Sequence, residues 1–207
     1  MFSFKEELKY RLSQPLPGME AQYEMAPAAR GRFPVDLLKE GTYRKSAVML
    51  MIYKSGNDMF IPLTKRHEYK GKHSGQISLP GGKFDEPDGN LENTALRELQ
   101  EEIGIQKEIE IIGSLTPLYI PVSNFLVQPF VSLYQTEDIE FRTNEREVKE
   151  LIPLQIDLLK KTELIKKEGI VSGEGYQLNT PYFDLNGEVV WGATAMILNE
   201  FSKLLND

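Results

Sequence analysis

The chain has 207 residues, of which 41% are hydrophobic and 27% are charged, values that are ordinary for a globular protein with a full core. Its formal net charge of −7 argues against a nucleic-acid partner or an anionic membrane surface. The absence of cysteine excludes disulfides, a thiolate nucleophile and a cysteine metal site, and it fits a cytoplasmic protein. No apolar run approaches the roughly 20 residues of a membrane-spanning helix, so we expect no membrane association.

The N-terminal part of the chain predicts an extension that precedes one main domain. We place the extension at residues 1–40 and the domain at residues 41–207. Apolar residues recur at helical spacing over residues 3–13, which predicts a short helix. Residues 15–34 are rich in proline, glycine and alanine, so we expect a loop there, packed on the domain.

The first strands of the domain are predicted from two apolar segments. Residues 46–53 are almost continuously apolar, which is typical of a strand that is buried on both faces. Turn-forming residues 55–58 separate this segment from a second strand pattern over residues 59–64, so the two are expected to form a hairpin. The basic residues 65–75 that follow predict a loop.

The rest of the chain alternates between helix and strand patterns. In chain order we expect a helix over 90–103, strands over 109–115 and 127–134, a short strand or loop and then a helix over 147–159, a hairpin over 182–191, and a helix over 194–205. The hairpin turns at Asn186-Gly187, the favoured two-residue turn. Strands mixed with several helices predict an α/β fold with a mixed β-sheet between helices.

Three glutamates lie on one side of the helix predicted over residues 90–103. Glu98 and Glu102 are one turn apart, and Glu101 is three residues from Glu98, so the carboxylates fall within an arc of roughly 100°. Like charges at this spacing cost roughly 0.2–0.5 kcal/mol per pair in an isolated helix. A cluster that opposes its own helix indicates a bound cation, and carboxylate oxygens favour Mg²⁺ or Mn²⁺ over zinc.

A sequence motif surrounds these glutamates. Residues 97–105 read Arg-Glu-Leu-Gln-Glu-Glu-Ile-Gly-Ile. Together with the upstream Gly82, this segment closely resembles the signature of the Nudix hydrolases, which implies a Nudix-type α/β/α sandwich. The loop after Gly82 is one residue longer than the general family pattern and carries Asp88 in place of the usual glutamate. This longer loop resembles the coenzyme A pyrophosphatase branch of the family.

Further segments resemble the same branch, so that the resemblance spans roughly residues 46–200. They are residues 63–66, 75–82, 125–131, 147–148, 153–154 and 191–195. Two positions differ from the branch pattern, because His67 and Gly71 stand where a small residue and a second arginine are usual. This difference keeps other diphosphate substrates open.

The resemblance implies roles for the residues of the motif. Glu98, Glu101 and Glu102, together with the carbonyl of Gly82, are expected to hold two or three Mg²⁺ or Mn²⁺ ions. Arg97 is expected to pair with a neighbouring carboxylate and to keep the site in shape.

The general base and the role of Asp88 are left open by the sequence. Family members place the base either on the motif helix or in a later loop, so the candidates are Glu102 and the pair Glu145 and Glu147. Asp88 is expected either to assist through water or to fix the loop.

Cationic residues near the motif are candidates for substrate contact. They are Arg30, Arg66, Lys70, Lys72 and Lys83, with Arg32, Lys65, His67 and His73 in the same stretches. Coenzyme A carries a 3′-phosphate beside its diphosphate, so a cationic loop next to the metal site suits it. Arg66 is the first candidate for reading that 3′-phosphate, and Arg30 contributes if the N-terminal loop folds over the site.

The resemblance implies metal-dependent cleavage of coenzyme A or acyl-coenzyme A to 3′,5′-ADP and 4′-phosphopantetheine or its acyl form. The first alternative keeps the reaction and changes the substrate to ADP-ribose, NADH or a dinucleoside polyphosphate. A more remote alternative is a non-catalytic nucleotide-binding module on the same fold. The expected partner is a small nucleotide, and a homodimer is compatible with the family although no residue specifies one.

Overall fold

The computed structural model describes residues 3–28, 30–67, 75–105, 109–136, 139–160, 165–171 and 177–206. Its helices are α1 (Phe4–Leu12), α2 (Gly18–Tyr23), α3 (Leu91–Ile103), α4 (Ile156–Leu159) and α5 (Gly192–Asn206). Its strands are β1 (Arg44–Ser55), β2 (Asp58–Arg66), β3 (Ile77–Ser78), β4 (Gly81–Lys83), β5 (Ile109–Ser114), β6 (Leu118–Ile120), β7 (Phe125–Tyr134), β8 (Val148–Gln155), β9 (Ile165–Val171), β10 (Gln177–Leu185) and β11 (Glu188–Trp191). Each expected helix and strand has a counterpart, whereas α2, β3, β4, β6 and β9 are additional.

The main sheet is mixed and is built around β1. On one side β1 runs parallel to β7, and on the other it pairs antiparallel with β2 and β4. Strand β7 also pairs antiparallel with β5 and β6, while β2 pairs antiparallel with β3 and β8. One parallel pair among antiparallel ones confirms the mixed sheet expected from the sequence.

Side chains of β1 alternate between two cores on opposite faces of the sheet. Met49 shares a buried cluster with Leu99 of α3. Leu50 and Ile52 belong to a second cluster that contains Phe201 of α5. Burial on both faces explains why this strand is almost continuously apolar. Helices therefore cover both faces, which confirms the α/β/α sandwich.

Helix α2 lies in the segment that the sequence predicts to be a loop, and a buried polar network ties it to α5. Gln22 Nε2 donates to the Glu200 carboxylate at 2.7 Å, and the Thr116 N–H donates to the same carboxylate at 3.1 Å. Asn199 Nδ2 donates to the Ala21 carbonyl at 2.6 Å. A six-residue helix held by such distant partners has too short a pattern to be recognised alone. The domain boundary at residue 40 stays a prediction.

A smaller antiparallel sheet of β9, β10 and β11 leads into α5. Its hairpin turns at Asn186 and Gly187, whose φ angles are 57° and 95°, as the sequence predicts. Lys65 of β2 pairs with Glu188 of β11 at 2.6 Å, which links the two sheets. Within the described ranges, none of the helices combines the length and the apolar character needed to cross a bilayer.

Candidate active site

Helix α3 carries the three glutamates between two well-defined ends. Asn90 caps its start by accepting a hydrogen bond from the Asn93 N–H at 2.8 Å. Gly104 ends it in the left-handed conformation with φ 77°, as the sequence predicts. Leu99 and Ile103 bury the apolar side of the helix against β1. The glutamates are thereby held at the edge where α3 faces β4.

The three carboxylates lie at different depths. The side chain of Glu101 is 52% exposed, that of Glu98 is 14% exposed and that of Glu102 is 5% exposed. Burial raises the pKa of Glu98, and the nearby charge of Glu101 adds to this effect, whereas Arg97 opposes it. One helix thus presents negative charge from solvent down to the core.

Glu102 is the most buried of the three. Burial raises its pKa to about 7, and the charges of Glu98 and Glu147 act in the same direction. Thr64 Oγ1 donates a hydrogen bond to Glu102 Oε2 at 3.2 Å, and an Arg66 guanidinium nitrogen lies 3.7 Å from Oε1. Both contacts favour the charged form but do not outweigh the burial.

Arg97 joins the extended loop to the glutamates. Its guanidinium donates to both carboxylate oxygens of Asp88, at 2.8 and 3.2 Å, and to the Lys83 carbonyl at 3.0 Å. It also lies 2.8 Å from Glu98 Oε1 and 3.1 Å from Glu101 Oε2. The paired guanidinium lowers the pKa of Asp88 to about 2. Thr94 Oγ1 donates to the same carboxylate at 2.8 Å. Asp88 therefore fixes the loop.

The loop before β8 packs against the C-terminal end of α3. The Arg142 N–H donates to the Ile103 carbonyl at 3.0 Å, and the Asn144 N–H donates to the Glu102 carbonyl at 2.9 Å. These bonds use helix carbonyls that lack partners within the helix. Asn144 Nδ2 also donates to Glu147 Oε1 at 3.3 Å. Glu147 therefore stands beside the glutamates, close enough that its charge raises the pKa of Glu98 and Glu102.

Gly81 and Gly82 allow β4 to approach both β1 and α3. An added Cβ at Gly81 would lie 2.6 Å from the Val48 Cα, and one at Gly82 would overlap the Glu98 carboxylate. Close approach of the backbone requires glycine at Gly81, whereas a Cβ at Gly82 would displace the Glu98 side chain. The backbone of Gly82 consequently lies directly against a carboxylate of the cluster.

A cavity of about 700 Å³ opens beside this backbone. Its walls come from β1, β4, the turn between β6 and β7, the start of α5, and a segment of Pro27 and residues 30–33, which we call the strap. Phe33, Phe125 and Trp191 are aromatic members of the lining. The cavity therefore reaches the Gly82 backbone, against which the Glu98 carboxylate lies. Its lining is mostly apolar, which is the usual character of a small-molecule site.

Comparison with known proteins identifies this arrangement. A model of the NUDIX domain matches residues 42–171. The chain belongs to the Nudix hydrolase family. An uncharacterized Nudix hydrolase NudL from Pectobacterium atrosepticum is 32% identical over 178 residues, which are 85% of this chain and 90% of that protein. Another from Yersinia enterocolitica is 32% identical over 146 residues, or 70% of this chain and 73% of that protein.

Solved structures show the same Nudix fold. A MutT/nudix family protein from Enterococcus faecalis aligns with a TM-score of 0.52 at 15% identity, covering 100% of this chain and 76% of that one. A MutT protein from Methanosarcina mazei aligns with a TM-score of 0.51 at 19% identity, covering 82% and 99% respectively.

Nudix hydrolases generally use divalent metal ions, and the residues present fit such ions. Carboxylates and a backbone carbonyl form an all-oxygen donor set. Burial raises the pKa of Glu98 and Glu102, so it disfavours their charged forms, which a cation would stabilise. In the part of the chain that the structure describes, no group of three histidine, cysteine, aspartate or glutamate side chains is already arranged to hold a metal ion. The Arg97 guanidinium lies against Glu98 and Glu101 instead, so the side chains must rearrange when a cation binds.

Gly82→Ala is expected to reduce Nudix activity at least tenfold without weakening the fold. The new Cβ meets the flexible end of the Glu98 side chain, so the clash is relieved when that carboxylate turns away from the site. We expect the thermal midpoint to change by no more than about 2 °C, because the backbone need not move. Thermal unfolding and turnover measured on the same sample check this. Unfolding together with loss of activity would show that the backbone, rather than Glu98, yields.

The structure separates the cationic residues expected to contact substrate. Arg66 and Lys83 line the cavity next to the glutamates, and Arg30 lines it from the strap. Arg32 is paired with Glu20 at 2.7 Å and is not among the lining residues. Lys65 pairs with Glu188, and His67 Nε2 lies 2.9 Å from the Glu145 carbonyl. Lys70, Lys72 and His73 lie outside the described residues.

Several contributors to the Nudix site were not assigned from the sequence. Thr64 holds Glu102 and Thr94 holds Asp88, although Thr64 belongs to a segment that resembles the family. Phe33 and Trp191 line the cavity, and neither was assigned to the site from the sequence. A polar side chain within a predicted buried strand or helix, such as Thr64 or Thr94, was the only feature of the sequence that could have indicated these two contacts.

Proposed function

We propose that this Nudix hydrolase cleaves the diphosphate linkage of coenzyme A or acyl-coenzyme A, releasing 3′,5′-ADP and 4′-phosphopantetheine or its acyl form. The observation that carries the proposal is the continuity of the glutamate cluster with the cavity at Gly82. A diphosphate held at the cluster places one arm of its substrate in a chamber that is aromatic and apolar. The resemblance of residues 46–200 to the coenzyme A branch supports the choice of substrate.

The glutamates and Gly82 would hold the Mg²⁺ or Mn²⁺ ions. Such ions neutralise phosphate oxygens and lower the pKa of bound water. Before the ions bind, Arg97 joins Asp88 to Glu98 and Glu101 and so keeps these carboxylates beside the loop. Arg66 brings positive charge to the same end of the cavity, where it is suited to a phosphate oxygen.

The general base is assigned to Glu102 or Glu147. Both carboxylates adjoin Glu98, since each influences the ionisation of the cluster. Glu147 is exposed and held by Asn144, whereas Glu102 is buried. An exposed carboxylate on a separate loop is free to meet a water from the solvent side, which favours Glu147 as the base and Glu102 as a ligand.

Product analysis tests the proposed function. Purified protein with Mg²⁺ or Mn²⁺ is offered coenzyme A, ADP-ribose, NADH and a diadenosine polyphosphate separately, and products are identified by mass. We expect 3′,5′-ADP from coenzyme A, and no product when a chelator is present. Preferential cleavage of another diphosphate would retain the reaction and replace the substrate. No turnover of any of these compounds would instead favour a nucleotide-binding module.

A further inference from the structure

We infer that Arg30, held in place by the strap, reads the phosphate that distinguishes coenzyme A from its 3′-dephosphorylated form. This inference rests on the proposed function, because it assigns one end of the same cavity. The sequence suggested Arg66 for recognition of the 3′-phosphate. In the structure Arg66 lies 3.7 Å from Glu102, at the end of the cavity where the diphosphate would be cleaved.

Among the residues that the structure describes, Arg30 has no acidic partner. Its Nη2 donates to the Tyr119 carbonyl, and its guanidinium carbon lies 5.6 Å from the centre of the Tyr23 ring. Within the described part of the chain, no carboxylate lies within ion-pair distance of Arg30, and its buried Nε has no hydrogen-bond partner. An unpaired guanidinium beside a cavity is unfavourable until an acceptor arrives. An anion in the cavity supplies the missing negative charge for the guanidinium.

The position of Arg30 selects which anion this is. Arg30 donates to Tyr119 of β6, which pairs with Leu126 of β7. Leu126 pairs in turn with Lys45 of β1. Two residues further along β1, Ala47 pairs with Gly82 of β4. Three steps between neighbouring strands, of about 4.8 Å each, separate Tyr119 from the backbone of Gly82, or roughly 14 Å. Arg30 is therefore too far to act on a diphosphate held at Gly82. It suits a second anionic group on the same substrate, and coenzyme A has one in its 3′-phosphate.

The strap is held to α2 by contacts that do not involve substrate. The Phe33 N–H donates to the Tyr23 hydroxyl at 2.9 Å, and that hydroxyl lies 3.3 Å from the Gly31 carbonyl, to which it donates. The Phe33 ring packs edge-on against Tyr119 with centroids 5.8 Å apart. Arg30 is thus presented by a braced segment, so its charge is positioned before substrate binds.

Arg32 provides a matched control for Arg30. It lies on the same strap, and its guanidinium carbon is 5.7 Å from the same Tyr23 ring. It differs in being paired with Glu20 and in not lining the cavity. Arg30→Gln and Arg32→Gln therefore change the same charge in the same segment, and only the first is expected to affect the 3′-phosphate.

Calorimetry compares the binding of 3′,5′-ADP and of 5′-AMP to the wild type and to both variants without metal. We expect the wild type to prefer 3′,5′-ADP by about 10- to 100-fold, the range of a charge-assisted contact. Arg30→Gln should lose this preference while its affinity for AMP changes less than about threefold, and Arg32→Gln should retain it. Arg30→Lys, which keeps the charge but not the two-pronged geometry, should fall between. Thermal unfolding confirms that the variants fold.

Three outcomes would overturn the inference: no preference in the wild type, equal weakening of both nucleotides in Arg30→Gln, or the same loss in Arg32→Gln. Kinetics separate this failure from failure of the proposed function. If coenzyme A is cleaved and its advantage over dephospho-coenzyme A survives Arg30→Gln, the reaction stands and the inference fails. If coenzyme A is not cleaved but 3′,5′-ADP is still preferred through Arg30, the inference stands without the proposed reaction.

Discussion

Glu102→Gln is expected to lower kcat by about a thousandfold or more and, at the same time, to stabilise the metal-free protein above neutral pH. The loss of activity follows because a metal ion contributes several kcal/mol to such reactions and each 1.4 kcal/mol is about tenfold in rate. The gain in stability follows because burial raises the pKa of Glu102 to about 7. An ionised carboxylate at this position opposes folding, and glutamine removes the charge while keeping an oxygen for Thr64.

The pH dependence of this gain has a definite sign. The pKa of Glu102 rises from 4.5 in the unfolded chain to about 7 in the folded protein. Below pH 4.5 the carboxyl is protonated in both states, so the variant has no advantage. Between these two values the folded protein binds more protons, and its stability falls as pH rises. Above pH 7 the variant should be more stable by about 1–3 kcal/mol.

Thermal unfolding at pH 5 and pH 8 with a chelator checks the gain in stability. Glu92→Gln is the matched control, because Glu92 is an exposed glutamate at the start of the same helix. Saturating Mg²⁺ should raise the midpoint of the wild type more than that of Glu102→Gln, since only the wild type keeps the full ligand set. Equal midpoints of wild type and Glu102→Gln at pH 8 would contradict the raised pKa.

Asp88→Asn is expected to destabilise the protein by about 2–3 kcal/mol and to reduce kcat by about 10- to 100-fold. Asp88 is 5% exposed and accepts two hydrogen bonds from Arg97 and one from Thr94. Asparagine keeps the shape of the side chain but loses the negative charge that accepts both guanidinium bonds, so the charge-assisted part of the pairing is lost. Arg97 also lies against Glu98 and Glu101, so a displaced guanidinium disturbs the ligands, as loss of an outer contact does in metal sites.

Urea unfolding measures the loss of stability, and a fall in the thermal midpoint of roughly 5–10 °C corresponds to it. Guanidinium pairing lowers the pKa of Asp88 from 3.8 to about 2. The stabilisation is therefore complete above pH 3.8 and is lost as pH falls towards 2, so the two proteins should converge in acid. Glu86→Gln removes an exposed charge from the same loop and should change stability by less than about 0.5 kcal/mol. If Glu86→Gln lost as much stability as Asp88→Asn, the effect would come from the total charge of the loop and not from the pairing of Asp88 with Arg97.

Much of the fold follows from local patterns in the sequence. The apolar run of β1, the spacing of Leu99 and Ile103 on α3, and the Asn186-Gly187 turn each carry enough short-range information to specify their element. The elements without such patterns are short or depend on distant partners. Strand β4 has three residues, two of them glycines, and exists because β1 offers an edge beside α3.

Some features of the candidate site were likewise recognisable in the sequence, and others depend on tertiary contacts. The glutamates were recognisable because the helical repeat alone places Glu98, Glu101 and Glu102 on one side, and a charged cluster at that spacing has a cost that a bound ion removes. Their different depths were not recognisable, because depth depends on how far β2 and the loop before β8 cover the end of α3. The raised pKa of Glu102 is a consequence of that covering.

The sequence by itself determined the family, the mixed sheet and the carboxylates of α3, because motifs and periodic apolar patterns can be recognised along the chain without knowledge of distant contacts. Only the tertiary structure decided which arginine faces which group. Arg30 and Arg32 are two residues apart and chemically identical, yet one lines the cavity and the other pairs with Glu20. That difference arises because the Tyr119 carbonyl, 89 residues away in the chain, accepts a hydrogen bond from Arg30, whereas Arg32 meets Glu20 of α2. Contacts of this kind leave no periodic trace in the sequence.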